Sequence, residues 1–313
     1  MSQQPGTGKY EKLLERCRGL EAIPTAVAYP CEETALQGAI DAGRQGLIAP
    51  ILVGPAGRMA EIARTHGIEL GKARVVDVPD SRSAAAKAVE LVRAGEAELL
   101  MKGSLHSDEI LGAVVAKETG LRTGRRLSHV FLMDVPTYHK VLLVTDGAIN
   151  IAPTLEDKVD ICQNAIDLAR SFGIERPKVA ILCAVETVTS KMPATLDAAA
   201  LCKMAERGQI KGGLLDGPLA FDNAISPEAA KIKNIRSEVA GDPDILLAPD
   251  LEAGNMVAKQ LSFLANADSA GLVLGARVPV ILTSRADSLR SRIASCAVAV
   301  LAAHARRQAP AVA

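Results

Sequence analysis

The feature that most limits how this chain can fold is a series of short apolar runs that do not alternate with polar residues. "IAPILVG" (48–54), "ARVVDV" (73–78), "AELLM" (97–101), "HVFLMD" (129–134) and "KVLLVTD" (140–146) come first. "KVAILCA" (178–184), "GGLLDG" (212–217), "DILLAPD" (244–250), "GLVLG" (271–275) and "VPVILTS" (278–284) follow. A strand with one face in water alternates; a near-continuous apolar run marks a strand covered on both faces. Between the runs lie stretches of helical character, such as "SRSAAAKAVELVRAG" (81–95) and "LEDKVDICQNAIDLARSFG" (155–173). In the second, Val159, Ile161, Ala165, Ile166 and Leu168 crowd one side, Glu156 and Asp157 open the first turn, and Gly173 is placed to end the helix. Strands alternating with helices give an α/β fold with a largely parallel sheet. The exception is 129–146, where only "VPTYH" separates two runs, so an antiparallel hairpin is expected there.

The chain has 313 residues, 49% of them hydrophobic, which suits two domains better than one. The turn to loop character at "GAINIAPT" (147–154) places a boundary near 140–150. The 36 basic and 36 acidic side chains balance, so nothing marks the chain for nucleic acid or an anionic membrane. The apolar stretch Ile293 to Ala303 is too short to cross a bilayer and is flanked by Arg290, Arg292, Arg306 and Arg307. "MSQQPGTGKYEK" at the N-terminus lacks the apolar core of a signal peptide, and a soluble cytoplasmic protein is expected. Six cysteines without a C-x-x-C pair read as buried free thiols rather than a zinc site. "PGTGK" (5–9) is no P-loop: the spacing is wrong, Tyr10 follows Lys9 and no strand precedes. No G-x-G-x-x-G follows a strand, so a standard dinucleotide fingerprint is missing.

Polar clusters recur where runs end: "KGSLHSDEIL" (102–111), "DGPLAFDNAISP" (216–227), "APDLEAGN" (248–255) and "TSRADS" (283–288). Ligands of open α/β sheets bind outside the carboxyl ends of the strands, so four such clusters point to a converging site. Lys102 offers a point charge, Gly103 a close backbone approach, Ser104 and Ser107 hydroxyls, and His106 a titratable ring. Ser107 or Asp108 is placed to cap the helix that follows. Asp250, Glu252, Gly254 and Asn255 gather at another helix start, and Asp216 and Asp222 flank an apolar Leu219 and Phe221. In "TSRADS", Ser284 brings a hydroxyl donor and Arg285 a planar fork suited to phosphate or carboxylate. Asp287 can cap a helix or accept a proton.

Together, "KGSLHSDEIL", "DGPLAFDNA", "VAGDPDILLAPDLEAGN" and "TSRADS" resemble the phosphate acetyltransferase and phosphate butyryltransferase family, from about Ala28 to Ala303. The resemblance implies a reversible acyl transfer: acyl-CoA and phosphate give acyl phosphate and CoA, with no metal or nicotinamide. It implies two α/β domains of the isocitrate/isopropylmalate dehydrogenase-like type, mostly parallel sheets and an active-site cleft between domains. The C-terminal segment would return to the first domain, giving 1–140 plus 275–313 and 141–274. A homodimer or higher homo-oligomer is expected. Ser284 matches the family's serine at the carbonyl oxyanion and Arg285 its phosphate-binding arginine, which agrees with the donor and fork read from the residues. Lys102, Ser104, His106, Asp216, Asp222, Glu252 and Asn255 are the expected substrate-binding residues. The acetyltransferase pattern carries an Asp seven residues beyond the Ser; Ser291 stands there, so Asp287 is the nearest candidate base. The "SRADS" form and "GAINIAP" lean toward the butyryl branch. Two other readings compete: a β-decarboxylating dehydrogenase, for which Tyr138 and Lys140 are a faint echo, and a non-catalytic domain that senses acetyl-CoA or phosphate.

Overall fold

The computed structural model describes residues 8–284 and 287–308. In chain order the elements begin with α1 (Lys9–Cys17), β1 (Ile23–Ala28), α2 (Glu33–Arg44), β2 (Ile48–Gly54), α3 (Ala56–His66), β3 (Arg74–Asp77), α4 (Ser81–Arg93), β4 (Leu99–Lys102) and α5 (Ser107–Val115). Next come β5 (Ser128–Asp134), β6 (Leu142–Thr145), α6 (Leu155–Ser171), β7 (Lys178–Leu182), α7 (Pro193–Glu206), β8 (Leu214–Leu219), α8 (Phe221–Ile225), α9 (Pro227–Ile232), β9 (Ile245–Leu247) and α10 (Leu251–Leu264). The chain closes with β10 (Asp268–Leu274), β11 (Val280–Ile281) and α11 (Leu289–Gln308). This is a mixed α/β protein.

The chain divides into two compact units, one running from Tyr10 to Arg125 and again from Ala270 onward, the other from Arg126 to Ser269 with Lys9. The sequence reading kept 126–140 with the first of these and began the return at 275. The hairpin explains the difference: β5 and β6 are hydrogen-bonded partners, with Val130 opposite Thr145 and Met133 opposite Leu142, so a cut at 140 would separate paired strands. Lys9, in the rejected "PGTGK", is structural: its Nζ donates to the carbonyls of Val135 and Tyr138 and pairs with Asp134.

In the unit built from both ends of the chain the strand order is β3-β2-β1-β4-β11-β10. From β3 to β11 neighbours run parallel, and β10 runs antiparallel to β11. The continuous apolar runs are explained by this order: β1 and β4 lie inside the sheet and are almost wholly buried. "ARVVDV" is an exception, because β3 is at the end of the order and three of its four residues are exposed. The short link 275–279 also makes β10 and β11 a second antiparallel pair, which the sequence reading did not separate from the parallel strands. Gly275, at φ +90°, supplies the left-handed turn between them.

In the central unit the order is β5-β6-β9-β7-β8, with the expected antiparallel hairpin at one end and parallel strands thereafter. Helix α6 starts at a reciprocal cap: Thr154 Oγ1 accepts from Asp157 N–H and Asp157 Oδ2 accepts from Thr154 N–H. It ends as expected, with Gly173 at φ +76° donating to the Arg170 carbonyl.

Gly103, just past β4, is required by space. A Cβ there would sit 2.4 Å from the carbonyl oxygens of Ala28 and Tyr29, whereas one at Gly112 in α5 would meet nothing within 4 Å. Gly103→Ala should therefore cost about 2 kcal/mol or more by forcing two backbones apart. Gly112→Ala should be neutral or stabilise by up to about 1 kcal/mol, as alanine in an open helical position does. Urea midpoints of the two variants check the pair; equal midpoints would be inconsistent with this packing.

Candidate active site

Strands β4 and β11 are parallel neighbours, with Val280 beside Leu100 and Ile281 beside Met101. Two of the polar segments, which open at Lys102 and at Thr283, therefore leave the sheet side by side. Lys102 is buried, and its Nζ lies 3.3 Å from the carbonyl of Thr283. The Ser104 hydroxyl donates to the Tyr29 carbonyl at 2.9 Å and accepts from Cys31 N–H at 3.1 Å, so it ties this loop to the exit of β1. His106 is exposed and takes the cap position of α5, where Ser107 or Asp108 was expected. The helix turns inward one residue earlier because Glu109, itself held by Ser81, reaches back to His106 N–H.

Ser284 is exposed at the end of β11's exit. Its N–H donates to Asp287 Oδ2 at 2.6 Å and its carbonyl accepts from Asp287 N–H at 3.2 Å. Asp287 thus holds Ser284, and the cap of α11 is Ser288, whose hydroxyl accepts from Ser291 N–H at 3.1 Å. Arg285 lies outside the described residues. The sequence reading passed over Arg292, whose guanidinium reaches both Thr283 and Ser284.

In the central unit, α10 starts with Asp250 accepting from Ala253 N–H at 2.8 Å, as an N-cap should. Asn255 Nδ2 donates to the Gly147 carbonyl at 2.9 Å, and a Cβ at Gly254 would stand 2.2 Å from the Asp146 carbonyl oxygen. The "PDLEAGN" segment is therefore packed on the loop that leaves β6. Glu252 is exposed in the first turn of α10. Asp216 is half-buried in β8 and accepts from Gly217 N–H at 2.8 Å. Asp222, in α8, pairs with Lys233 at 3.1 Å, and Lys233 pairs in turn with Glu186. Strand β7 lies between β8 and β9, so the structure does not bring Asp216 and Asp222 onto the Asn255 loop through neighbouring strands.

Asp146 is the residue of this unit that the sequence reading missed. It is buried, and its carboxylate accepts from the backbone N–H groups of Ala148, Ile149 and Asn150 and from Asn150 Nδ2. Asn150 also binds the Leu127 carbonyl and receives Arg126 Nε. The signal was present: an acidic residue and a glycine, Asp146 and Gly147, end an apolar run, as Asp216 and Gly217 do in "DGPLAFDN". No cysteine is activated. Burial pushes Cys17, Cys31 and Cys183 up to about 11 and Cys202 and Cys296 up to about 12, and raises Cys162 as well. Among the described residues there is no cluster of three or more His, Cys, Asp or Glu that could hold a metal, and no helix long and apolar enough to cross a membrane.

Parallel strand exits with a buried lysine and an exposed serine beside it are those of an α/β protein that takes its ligand outside the carboxyl ends of its strands. The comparisons narrow this. Residues 80–300 match the family described as Phosphate acetyl/butaryl transferase, and the chain belongs to that family. It is 62% identical to a phosphate acetyltransferase of Rhizobium meliloti over 96% of this chain and 95% of the relative. It is 42% identical to a phosphate butyryltransferase of Clostridium acetobutylicum, over 94% and 98%. A branched-chain phosphotransacylase from Enterococcus faecalis superposes with TM-score 0.77 at 30% identity, covering 90% of this chain and 99% of that one. For the fold alone, a 4-hydroxythreonine-4-phosphate dehydrogenase from Klebsiella pneumoniae gives TM-score 0.56 at 13% identity, covering 90% and 100%.

The loop that Asp146 holds packs near a group with a testable pH signature. His129 is buried in β5, with Nδ1 lacking a hydrogen-bond partner. Burial drives its pKa down to about 4, and the charge of Asp146 opposes this only in part. A histidine kept neutral in the fold supports folding fully above its unfolded pKa and loses that support as the pH falls toward the folded value. Stability should drop by about 2 kcal/mol between pH 6.5 and 5 from this ring alone. His129→Gln should flatten that part of a plot of urea midpoint against pH; an unchanged slope would remove the histidine from the account.

Proposed function

We propose that the chain is an acyl-CoA:phosphate acyltransferase that converts acetyl-CoA and phosphate reversibly to acetyl phosphate and CoA. The observation that carries this is the 62% identity with a phosphate acetyltransferase across 96% of the chain. A phosphate oxygen attacks the thioester carbonyl carbon, the C–O bond forms and the C–S bond breaks, and the sulfur leaves as thiolate to take up a proton. Negative charge grows on the carbonyl oxygen in between, and we assign the Ser284 hydroxyl to it. Arg285 is assigned to phosphate, for which a planar fork is suited. Asp287, beside Ser284, is assigned as the group that exchanges the thiol proton. Lys102, Ser104 and His106 are assigned to the same substrate-binding wall, Ser104 by holding the Tyr29–Cys31 turn. Asp216, Asp222, Glu252 and Asn255 are assigned to the substrates on the central unit. The polar groups do not sort acetyl from butyryl; that choice falls to an apolar pocket, where each methylene is worth only about 1–3 kcal/mol. The likeness to a phosphate butyryltransferase keeps that chain length as the second reading. The finer fold type, two domains as in the isocitrate and isopropylmalate dehydrogenases, is supported by the fold-level likeness to a dehydrogenase. A cytoplasmic homodimer completes the proposal.

The test is CoA release from acetyl-, propionyl- and butyryl-CoA, with and without phosphate, read with a thiol dye. Phosphate-dependent release, fastest with acetyl-CoA, is expected; folded protein that releases none with any of the three would sink the reading. Ser284→Ala should slow turnover by ~10²-fold, the scale of one oxyanion donor. Arg285→Gln should raise the KM for phosphate with little change in that for CoA. Asp287→Asn should remove the rise in rate on the alkaline side, and a normal pH profile would take the proton role away from it.

A further inference from the structure

Arg292 stands in the first turn of α11 and is 3% exposed. A buried guanidinium is costly, and an apolar side chain of similar size would serve packing as well or better. Its contacts show what the charge is used for. Nη1 donates to Thr283 Oγ1 at 2.8 Å, Nη2 donates to the Ser284 carbonyl at 2.9 Å, and the buried Nε has no hydrogen-bond partner. The stem fits because α2 presents a glycine: a Cβ at Gly38 would come within 3.0 Å of Arg292 Cδ. The charges that act on the guanidinium include those of Asp287 and Glu32. Asp287 binds Ser284 N–H, so the two sides of one residue's backbone are held, its amide by a carboxylate and its carbonyl by a guanidinium.

We propose that Arg292 is a positioning residue for acyl transfer: by clamping the Thr283 hydroxyl and the Ser284 carbonyl in one fork, it sets the direction of the Ser284 hydroxyl. The inference rests on the acyl-transfer role given to Ser284. Arg292→Ala should lower kcat by about 10²-fold, the scale of an ångström of misplacement, with KM for acyl-CoA and phosphate little changed. Millimolar guanidinium should restore part of the rate, and equal sodium chloride should not. Arg292→Lys, which keeps the charge and loses the fork, should fall between, and it carries the same tests if the alanine variant does not fold. In a Ser284→Ala background the change at Arg292 should cost little more, because both act on one step. A full further drop in that background would overturn the proposal. Amide hydrogen exchange separates the two levels. Faster exchange confined to 282–288 in the Arg292 variants supports the clamp even if the wild-type protein releases no CoA, in which case only the acyl-transfer reading fails. Unchanged exchange in that segment would overturn the clamp.

Discussion

The pairing of β11 with β4 is short, Val280 with Leu100 and Ile281 with Met101, yet the arrangement of Lys102, Thr283, Ser284 and Arg292 depends on it. A sheet alternates faces at every residue, so a slip of one position would turn Thr283 away from Arg292 and invert Ser284 beyond it. The register is secured from the other side. Strand β10 pairs antiparallel with β11, Thr123 Oγ1 donates to the Gly275 carbonyl and Arg277 N–H donates to that of Leu121. Bonds outside the site thereby fix Thr283 and Ser284 within it.

Both units use one device at their candidate functional ends. A main chain leaving a parallel strand is held by a buried charged side chain: Arg292 on Thr283 and Ser284 in one, Asp146 on the amides of Ala148, Ile149 and Asn150 in the other. Charge-assisted bonds to backbone are stronger than neutral ones, and they fix a loop without filling the space a substrate needs. Such prior ordering matters to acyl transfer, in which charge appears on one oxygen for an instant and donors must already be aimed. Relatives named for acetyl and for butyryl transfer share much of this chain's sequence, at 62% and 42% identity. A shared polar frame with a variable apolar wall is the simplest physical account of that spread.

Much of the fold was legible because burial on both faces leaves a mark that a single sequence carries. The runs at 97–101 and 129–146 became β4 and the β5–β6 hairpin, and the cap and glycine of α6 fell where propensity put them. What was illegible depends on neighbours. "ARVVDV" reads like an interior strand, but β3 has a partner on one side only. "GLVLG" and "VPVIL" read like two more parallel strands until Gly275 turns the chain back. His106 and Ser288 took the cap positions through partners three residues on, the Glu109 side chain and the Ser291 N–H. Family resemblance pointed to Ser284 and Asp287; the partners that hold them, above all Arg292, stand in a helix whose residues look like ordinary core and flank.

The thiols bear on the company this protein keeps. Its proposed reaction liberates CoA, a small free thiol whose oxidised, disulfide form exchanges with protein cysteines wherever a thiolate is available to attack it. Cysteines held near 11 or 12 are almost wholly protonated at neutral pH, with roughly one in 10⁴ or fewer ionised at any moment. Burial chosen for packing thus also makes the chain a poor partner for its own product.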